Sequence, residues 1–245
     1  MKYKNYILVL LIIIFSCLFY LYVYKSEKKE EGFENSDNIG CYVITLKKPE
    51  KMKNIEEQQK KCKYNIEIVD AIFGDDLNMN ELVKEKKVDA NYVHGHPRQI
   101  GCYMSHMKIW DMIQEKQKTD PTKYSIIFED DFNLVDDFNQ RLKDILQDVE
   151  DKNIEFDMII LGNLLGAGGE LISKDVYKKQ YFYGTHGCLI KNDNIDRLKN
   201  AMKFIDNNFD LKLNDMNTEG KINVHVVTPA LANQLRDKFD SDIGL

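Results

Sequence analysis

Three consecutive acidic residues, Glu129, Asp130 and Asp131, directly follow a short apolar segment. That segment, Ser125-Ile-Ile-Phe128, is rich in β-branched and aromatic side chains, which is typical of a fully buried strand. Adjacent carboxylates repel one another and are costly to bury unpaired, so they must reach solvent or meet a cation. Glu129-x-Asp131 offers two hard oxygen donors of the kind that Mg²⁺ and Mn²⁺ prefer, with coordination positions left for phosphate. The pattern fits a divalent-cation site and fits equally well a strand capped by a solvated acidic turn.

Basic residues follow the first apolar segment of the main domain. Lys47 and Lys51 lie beyond a strand predicted over residues 39–46, and a helix with Pro49 near its first turn begins between them. Ligands of open α/β sheets bind outside the carboxyl ends of the strands, so an anionic ligand would lie close to these lysines. A solvated helix face is the commoner role of such a cluster.

Strand and helix patterns alternate through the rest of the chain. Strands are predicted over 39–46, 64–71, 125–128, 156–162, 181–190 and 224–228, and helices over 78–87, from Cys102 toward Glu115, over 138–149 and over 195–205. The glycine-rich stretch 162–169 has no Gly-Lys-Ser/Thr ending, so it is not a P-loop. The alternation predicts an α/β domain with a mainly parallel sheet flanked by helices.

An apolar stretch, Ile7 to Val23, precedes this domain and is flanked by lysines and tyrosines. Its length is at the short limit for a bilayer span, and no Ala-x-Ala-like cleavage site follows it. We therefore predict a transmembrane signal anchor over residues 1–24 that contacts the lipid bilayer through residues 7–23. A flexible polar stalk over 25–38 and one domain over 39–245 would follow. The lysines on both sides of the stretch leave the orientation open.

Composition narrows the classes of partner. The net charge of −6 argues against non-specific nucleic-acid binding, which requires a basic face. Of the five cysteines, the four after the apolar stretch are far apart and form no C-x-x-C pair, which argues against a zinc site. Buried free thiols are the default, and one disulfide is the alternative for a luminal domain.

The motifs, taken together and in order, resemble those of glycosyltransferase family 25, which includes lipooligosaccharide galactosyl- and glucosyltransferases and the collagen hydroxylysine galactosyltransferases. The matching segments are Tyr42-Val-Ile-Thr-Leu-Lys-Lys-Pro-Glu-Lys51, Val69-Asp-Ala71, Gln99-Ile-Gly-Cys-Tyr-Met-Ser-His106, Ile127-Phe-Glu-Asp-Asp131, Phe156-Asp-Met-Ile-Ile-Leu-Gly162, Gly184-Thr-His-Gly187, Asp210-Leu-Lys-Leu213, Pro229-Ala-Leu-Ala-Asn-Gln234 and Ser241-Asp-Ile243. Two departures stand out. Arg98-Gln99 occupies the place of the family's usual Gly-Glu, and lysines replace arginines near the start, where bidentate phosphate contact is therefore lost.

The resemblance implies a GT-A-like, Rossmann-type fold and an inverting transfer of galactose or glucose from a UDP-sugar. Mn²⁺, or Mg²⁺, would be held by Glu129 and Asp131, with His186 as a third contact or, alternatively, a satisfied core histidine. The base would be Asp210, with Asp242 second, a choice that rests on position and residue type. The residues implied to contact the sugar nucleotide are Thr45, Lys47, Lys51, Asp70, Ser105, Glu129 and Asp130.

The acceptor, by the same resemblance, is a glycan, a lipid-linked saccharide or protein hydroxylysine. A single-pass membrane protein of type II, with a luminal catalytic domain, is the expectation for a eukaryotic or viral source, and a cytoplasm-facing one otherwise. Two other functions stay open. One is a catalytically decayed sugar-binding or scaffold module, suggested by Gln99 and the missing arginines. The other is a metal-dependent phosphoesterase or nucleotidyltransferase, which would need a second acidic cluster.

Overall fold

The computed structural model describes residues 13–20, 38–94, 96–164, 168–178 and 181–239. The chain divides into two compact units, residues 1–38 and 39–245. The predicted stalk, apart from Asn38, lies outside the described residues, and so does the predicted second base, Asp242.

The described part of the first unit is a helical segment over residues 13–20. Eight helical residues cover about 12 Å, whereas a bilayer core is about 30 Å thick. Among the residues whose structure is described, no helix is both long and apolar enough to cross a membrane. The prediction of a single-pass membrane protein is wrong on this finding, and the rest of the predicted anchor, 1–12 and 21–24, lies outside the described residues.

A mixed eight-stranded sheet forms the centre of the second unit. In chain order its strands and those of a small second sheet are β1 (Ile39–Thr45), β2 (Glu67–Asp70), β3 (Tyr124–Glu129), β4 (Phe132–Leu134), β5 (Met158–Ile160), β6 (Glu170–Ser173), β7 (Val176–Lys178), β8 (Gly187–Lys191), β9 (Val224–Val227) and β10 (Ala232–Gln234). The order across the large sheet is β2-β1-β3-β8-β5-β9-β7-β6, and β10 pairs with β4.

The sheet is not mainly parallel, so that part of the fold prediction is wrong. Among the described strands, β1 pairs in parallel with β2 and β3, and β5 with β9, while the four other neighbouring pairs of the large sheet are antiparallel. Parallel neighbours need a crossover connection, usually a helix. Only two residues join β6 to β7, which is too short for a crossover, so β7 returns antiparallel to β6.

Helices cover both faces of the sheet, which confirms the predicted α/β class. They are α1 (Pro49–Gln59), α2 (Met79–Lys84), α3 (Pro97–Lys116), α4 (Phe138–Asp151), α5 (Ile195–Ala201) and α6 (Phe209–Thr218). Successive strand residues alternate between two hydrophobic clusters. Ile127 joins the cluster that includes buried residues of α3 and α6, and Ile126 and Phe128 join the cluster beneath α4. The amphipathic pattern predicted for α4 fits this packing, because Phe138, Leu142, Ile145, Leu146 and Val149 are all buried.

The carboxyl ends of β2, β1 and β3 meet at one edge of the sheet. In the parallel register Thr45 lies opposite Asp70, and Ile44 lies opposite Glu129. This register brings the acidic run after β3 next to the residues that follow β1 and β2, as expected for a ligand site in an open α/β sheet.

Candidate functional site

Glu129, the first residue of the acidic run, is hydrogen-bonded from two sides. The Thr185 hydroxyl donates to its Oε1 at 3.0 Å, and His106 Nε2 lies 3.3 Å from the same oxygen. Burial acts to raise the pKa of Glu129. The hydrogen bond and charge of His106, the charge of His186 and the hydrogen bond of Thr185 outweigh it, so the pKa lies below its ordinary value. Glu129 is therefore ionised at neutral pH, and 23% of its side chain remains exposed.

Asp130 is neutralised by a buried lysine. Lys51 Nζ donates to its Oδ1 at 2.8 Å, and the lysine side chain is only 3% exposed. Asn54 of α1 donates to the main-chain oxygens of Asp130 and Phe132, at 3.1 and 2.9 Å, and so ties the acidic turn to the helix. Lys51 thus compensates one charge of the acidic run from within the protein.

Asp131 is buried and only partly satisfied. Its Oδ2 accepts a hydrogen bond from Gln234 at 3.0 Å, and Lys51 Nζ lies 3.9 Å from that oxygen. Its Oδ1 is buried without any hydrogen-bond partner among the described residues. Burial, followed by the charge of Glu129, raises the pKa of Asp131 to about 6. A carboxylate in this state is one that a divalent cation would stabilise, so Glu129 and Asp131 fit such an ion by donor chemistry and charge.

His186 is a buried histidine whose ring is fixed by the main chain. Its Nε2 lies 3.1 Å from the carbonyl oxygen of Ala232, and a side chain at Gly162 would place Cβ 2.1 Å from that nitrogen. Glycine is therefore required at position 162. If Nε2 carries the proton, Nδ1 keeps its lone pair, and Nδ1 has no hydrogen-bond partner among the described residues. Burial lowers the pKa of His186, so the ring is neutral at pH 7.

The three predicted metal ligands, Glu129, Asp131 and His186, are not pre-arranged as one three-ligand group among the residues that the structure describes. Within the described part of the chain, the only set of three potential ligand atoms that all lie within 4.8 Å of one another is Cys102, His106 and Glu129. Asp131 and His186 are outside that set.

Asp210, the predicted base, starts α6 and reaches the same region. Its Oδ2 accepts a hydrogen bond from the main-chain nitrogen of Gly184 at 3.2 Å. Asn214, one turn later, donates to the main-chain oxygen of Phe182 and accepts from its nitrogen, at 2.7 and 3.0 Å. The extended segment that ends in Thr185 and His186 therefore connects Asp210 with Glu129.

A pocket at the sheet edge brings together several predicted nucleotide contacts. Its lining includes Thr45, Ser105, Glu129 and Asp130. Ser105 also has a structural role, because its hydroxyl donates to Gly101 O at 2.7 Å and accepts from the nitrogen after Ala71 at 2.8 Å. Four of the seven residues predicted to contact a sugar nucleotide therefore line one pocket.

Lys47 and Asp70 pair with each other instead of lining this pocket. Their charged atoms are 2.5 Å apart, and both side chains are more than half exposed. Lys47 has φ of 59°, and its nitrogen donates to Thr45 Oγ1 at 2.9 Å. The pair lies after the ends of β1 and β2.

Sequence reasoning assigned no role at the site to four polar residues of this region. Cys102 and Arg98 line the pocket, while His106 and Thr185 bond to Glu129. The helical spacing of Cys102, Ser105 and His106 (i, i+3, i+4) was the available signal, because it puts all three on one face of α3. Thr185 gave no such signal, since its contact joins positions 56 residues apart.

Comparisons with known proteins point in one direction. The family model described as Glycosyltransferase family 25 (LPS biosynthesis protein) matches residues 38–209. The chain is 29% identical over 161 residues to Procollagen galactosyltransferase 1-A of Xenopus laevis, covering 59% of this chain and 26% of that protein. It is 25% identical over 150 residues to Procollagen galactosyltransferase 1 of Danio rerio, covering 58% of this chain and 24% of the relative.

Other similar proteins carry a different description. The chain is 27% identical over 130 residues to the Inactive glycosyltransferase 25 family member 3 of Mus musculus, covering 49% of this chain and 21% of that protein. The chain thus spans about a quarter of the length of the curated relatives it matches. Among solved structures, a glycosyltransferase involved in the glycosylation of the major capsid of PBCV-1 aligns over 80% of this chain and 94% of its own, with 9% identity and a TM-score of 0.41.

Proposed function

We propose that this chain, which belongs to glycosyltransferase family 25, transfers galactose or glucose from a UDP-sugar to a hydroxyl of a glycan, a lipid-linked saccharide or protein hydroxylysine. The observation that carries the proposal is the acidic edge of the sheet, where Asp131 is buried with one unsatisfied carboxylate oxygen next to an ionised Glu129. The names of the procollagen galactosyltransferases support galactose as the transferred sugar. Residues 39–245 would form the transferase domain in a GT-A-like arrangement.

Glu129 and Asp131 would hold the divalent ion, Mn²⁺ or Mg²⁺. When bound there, the ion would supply Lewis-acid stabilisation for the charge that develops on the diphosphate leaving group. His186 is the third proposed ligand and would contribute Nδ1, which has no other partner among the described residues. Lys51, already paired with Asp130, keeps the net charge of the acidic run near that of two carboxylates.

The pocket beside these acids is the proposed donor site. Thr45 and Ser105 form part of its wall. The Thr45 hydroxyl fixes the turn after β1 by accepting from the Lys47 nitrogen, and the Ser105 hydroxyl ties the segment after β2 to α3. Lys47, which is exposed next to Asp70, would exchange its surface ion pair for the diphosphate. An exposed ion pair contributes little to stability, so this exchange costs little.

Asp210 is the proposed base for an inverting, single displacement. The bond between the acceptor oxygen and the anomeric carbon forms while the bond from that carbon to the diphosphate oxygen breaks. The acceptor proton moves to the Asp210 carboxylate, and UDP leaves. The hydrogen bond from Gly184 fixes the orientation of the carboxylate, whose remaining lone pairs can accept this proton. Asp242 remains the second candidate from the sequence.

A non-catalytic member of the family is the second candidate function, because the similar proteins include one named as inactive. Arg98 supports this alternative only weakly. It pairs with Asp75, at 3.0 Å, and stacks over Phe73, which is a structural role. The phosphoesterase alternative has no such support: Asp136, the nearest further acid considered for it, is 97% exposed and pairs with Lys61.

A donor screen with the full chain tests the proposal. We expect UDP release from UDP-galactose or UDP-glucose in the presence of Mn²⁺, and its loss with a chelator. Asp210→Asn should lower transfer by about 10²–10⁴-fold, the usual contribution of a positioned base. Asp215→Asn, an exposed position on the same helix, is the matched control. Release that is absent for every UDP-sugar, or equal with Asn at 210, would contradict the proposal.

A further inference from the structure

Cys102, His106 and Glu129 form a group of mixed ligand type. The thiol, the imidazole nitrogen and a carboxylate oxygen all lie within 4.8 Å of one another. Cys102 and His106 are four residues apart on α3 and therefore share one face of that helix, while Glu129 comes from the end of β3. Cysteine and histidine are ligands for Zn²⁺ and similar ions, whereas Mn²⁺ and Mg²⁺ favour oxygen.

The separation of His106 and Glu129 fits two ligands of a tetrahedral ion. Their Nε2 and Oε1 atoms are 3.3 Å apart. Hydrogen bonds between charged nitrogen and oxygen groups are usually shorter, about 2.7–2.9 Å. Two ligands about 2.0–2.1 Å from a tetrahedral Zn²⁺ lie about 3.4 Å apart. The Cys102 thiol, within 4.8 Å of both atoms, would complete a three-ligand site with one open position.

Packing around the group holds two of the three ligands in place. The His106 ring is fully buried and stacks on Phe209, with ring centroids 4.2 Å apart and an angle of 14°. Glu129 is held by the Thr185 hydroxyl. Access is available as well, because Cys102 and Glu129 both line the pocket at the sheet edge. Two ligands held in place and an open path to them are features that favour metal binding.

We infer that Cys102, His106 and Glu129 bind a thiophilic divalent ion of the Zn²⁺ class. Because Glu129 is also a proposed ligand of Mn²⁺, the two ions would exclude each other. The absence of a C-x-x-C pair argued against zinc at the level of the sequence, and it does argue against a four-cysteine site. This group escapes that argument because its third ligand comes from another element of the fold. The inference concerns metal binding by the free protein and stands whether or not the chain transfers a sugar.

Cobalt provides a direct test, since Co²⁺ substitutes for Zn²⁺ and gives a sulfur-to-metal charge-transfer absorption only when a thiolate is bound. We expect the full chain, titrated with Co²⁺ alone, to develop this absorption, and Zn²⁺ to abolish it. Cys102→Ser should remove it. Cys17→Ser, which removes an exposed thiol elsewhere, should keep it and serves as the matched control. Absorption that is missing in the wild type, or unchanged in Cys102→Ser, would overturn the inference.

A second measurement on the wild type does not depend on how a variant folds. We expect Zn²⁺, but not Mn²⁺, to slow alkylation of Cys102 by iodoacetamide by about tenfold or more, as followed by mass spectrometry of the peptide. That size corresponds to Zn²⁺ at about ten times its Kd, because the fraction of free thiol falls as 1/(1 + c/Kd) with the free Zn²⁺ concentration c. Glu129→Gln should reduce the protection. Alkylation of Cys102 at the same rate with and without Zn²⁺ would refute the inference.

Discussion

Asp131 and Asp157 are two buried aspartates beside strands of the same domain, and their surroundings differ. Asp157 lies immediately before β5 and is fully buried. Its Oδ1 accepts from Arg197 Nε at 2.9 Å, and its Oδ2 accepts from the main-chain nitrogen of Asn223 at 2.7 Å. Asp131 lies between β3 and β4 and has Gln234 on one oxygen but nothing on the other among the described residues.

The difference separates a carboxylate that holds the fold together from one that is suited to a ligand. At Asp157 the protein itself supplies a partner for each oxygen: the Arg197 cation for Oδ1 and the Asn223 nitrogen for Oδ2. Breaking these contacts would leave buried groups unpaired. At Asp131 the nearest cation, Lys51, is already bonded to Asp130, and the charge of Glu129 adds repulsion. The fold tolerates this imbalance at one edge of the sheet, where a pocket opens.

Between the two aspartates, the largest expected effect is on catalysis and comes from Asp131→Asn. Removing a preorganised charged group from a reaction centre typically lowers the rate by about 10²–10³-fold. We expect a loss of this size in kcat for sugar transfer, measured by UDP release with the donor found in the screen. Asp157→Asn should change kcat per folded molecule by less than about threefold, since it touches no group of the pocket. Equal losses in the two variants would remove the distinction between the two sites.

Stability should respond in the opposite order. Asp157→Asn weakens the charged hydrogen bonds with Arg197 and Asn223, so we expect the free energy of unfolding to fall by about 2–3 kcal/mol. Asp131→Asn should leave it unchanged or increase it, because a repulsive charge is removed. Urea unfolding at pH 7 with a chelator present measures both. A larger loss for Asp131→Asn than for Asp157→Asn would show that Asp131 has the structural role.

The pH dependence of stability sharpens the same contrast. The pKa of Asp131 in the folded protein is about 6, above the value of about 3.9 for an unfolded chain. The folded state thus binds this proton more tightly, and the contribution of Asp131 to stability is most favourable below about pH 4. It decreases as pH rises through about 6. In metal-free protein, wild type should lose about 3 kcal/mol relative to Asp131→Asn over that interval. The control Asp136→Asn, at an exposed position, should follow wild type, and parallel curves for all three would contradict the assignment.

A partly exposed carboxylate provides the smallest effect. Asp148 pairs with Lys152 at 2.8 Å, in an i, i+4 arrangement in which half of the lysine is exposed. Lys152→Ala should therefore lower the free energy of unfolding by only about 0.3–0.5 kcal/mol. The Ser173 hydroxyl and the Lys174 nitrogen still donate to Asp148 in this variant. A loss above about 1 kcal/mol in urea unfolding would contradict the minor role assigned to the Asp148–Lys152 pair.

Local sequence patterns were sufficient to predict the strand before the acidic run and the helix over Phe138–Asp151, because burial and periodicity are properties of neighbouring residues. They did not predict the direction of β8, since a strand reads the same in either direction and its partners β3 and β5 come from earlier parts of the chain. The short strands β4 and β10 were also missed, because their pairing joins residues about 100 positions apart.

The candidate site, too, was predictable from the sequence only in part. That Glu129 and Asp131 lie at a sheet edge follows from the strand that precedes them. Their different states do not follow, because these depend on Lys51, His106 and Gln234, which come from other elements of the fold. Which acid is compensated is therefore a property of the tertiary structure.

Calorimetric titration of UDP into the full chain, with Mn²⁺ and with a chelator, tests most directly whether Asp131 belongs to a cation-dependent nucleotide site. We expect wild type and Asp157→Asn to bind UDP with Mn²⁺, and affinity to fall by at least about tenfold when the metal is removed. Asp131→Asn should bind equally weakly in both conditions. Mn²⁺-dependent UDP affinity in Asp131→Asn that equals that of wild type would contradict the role assigned to this residue.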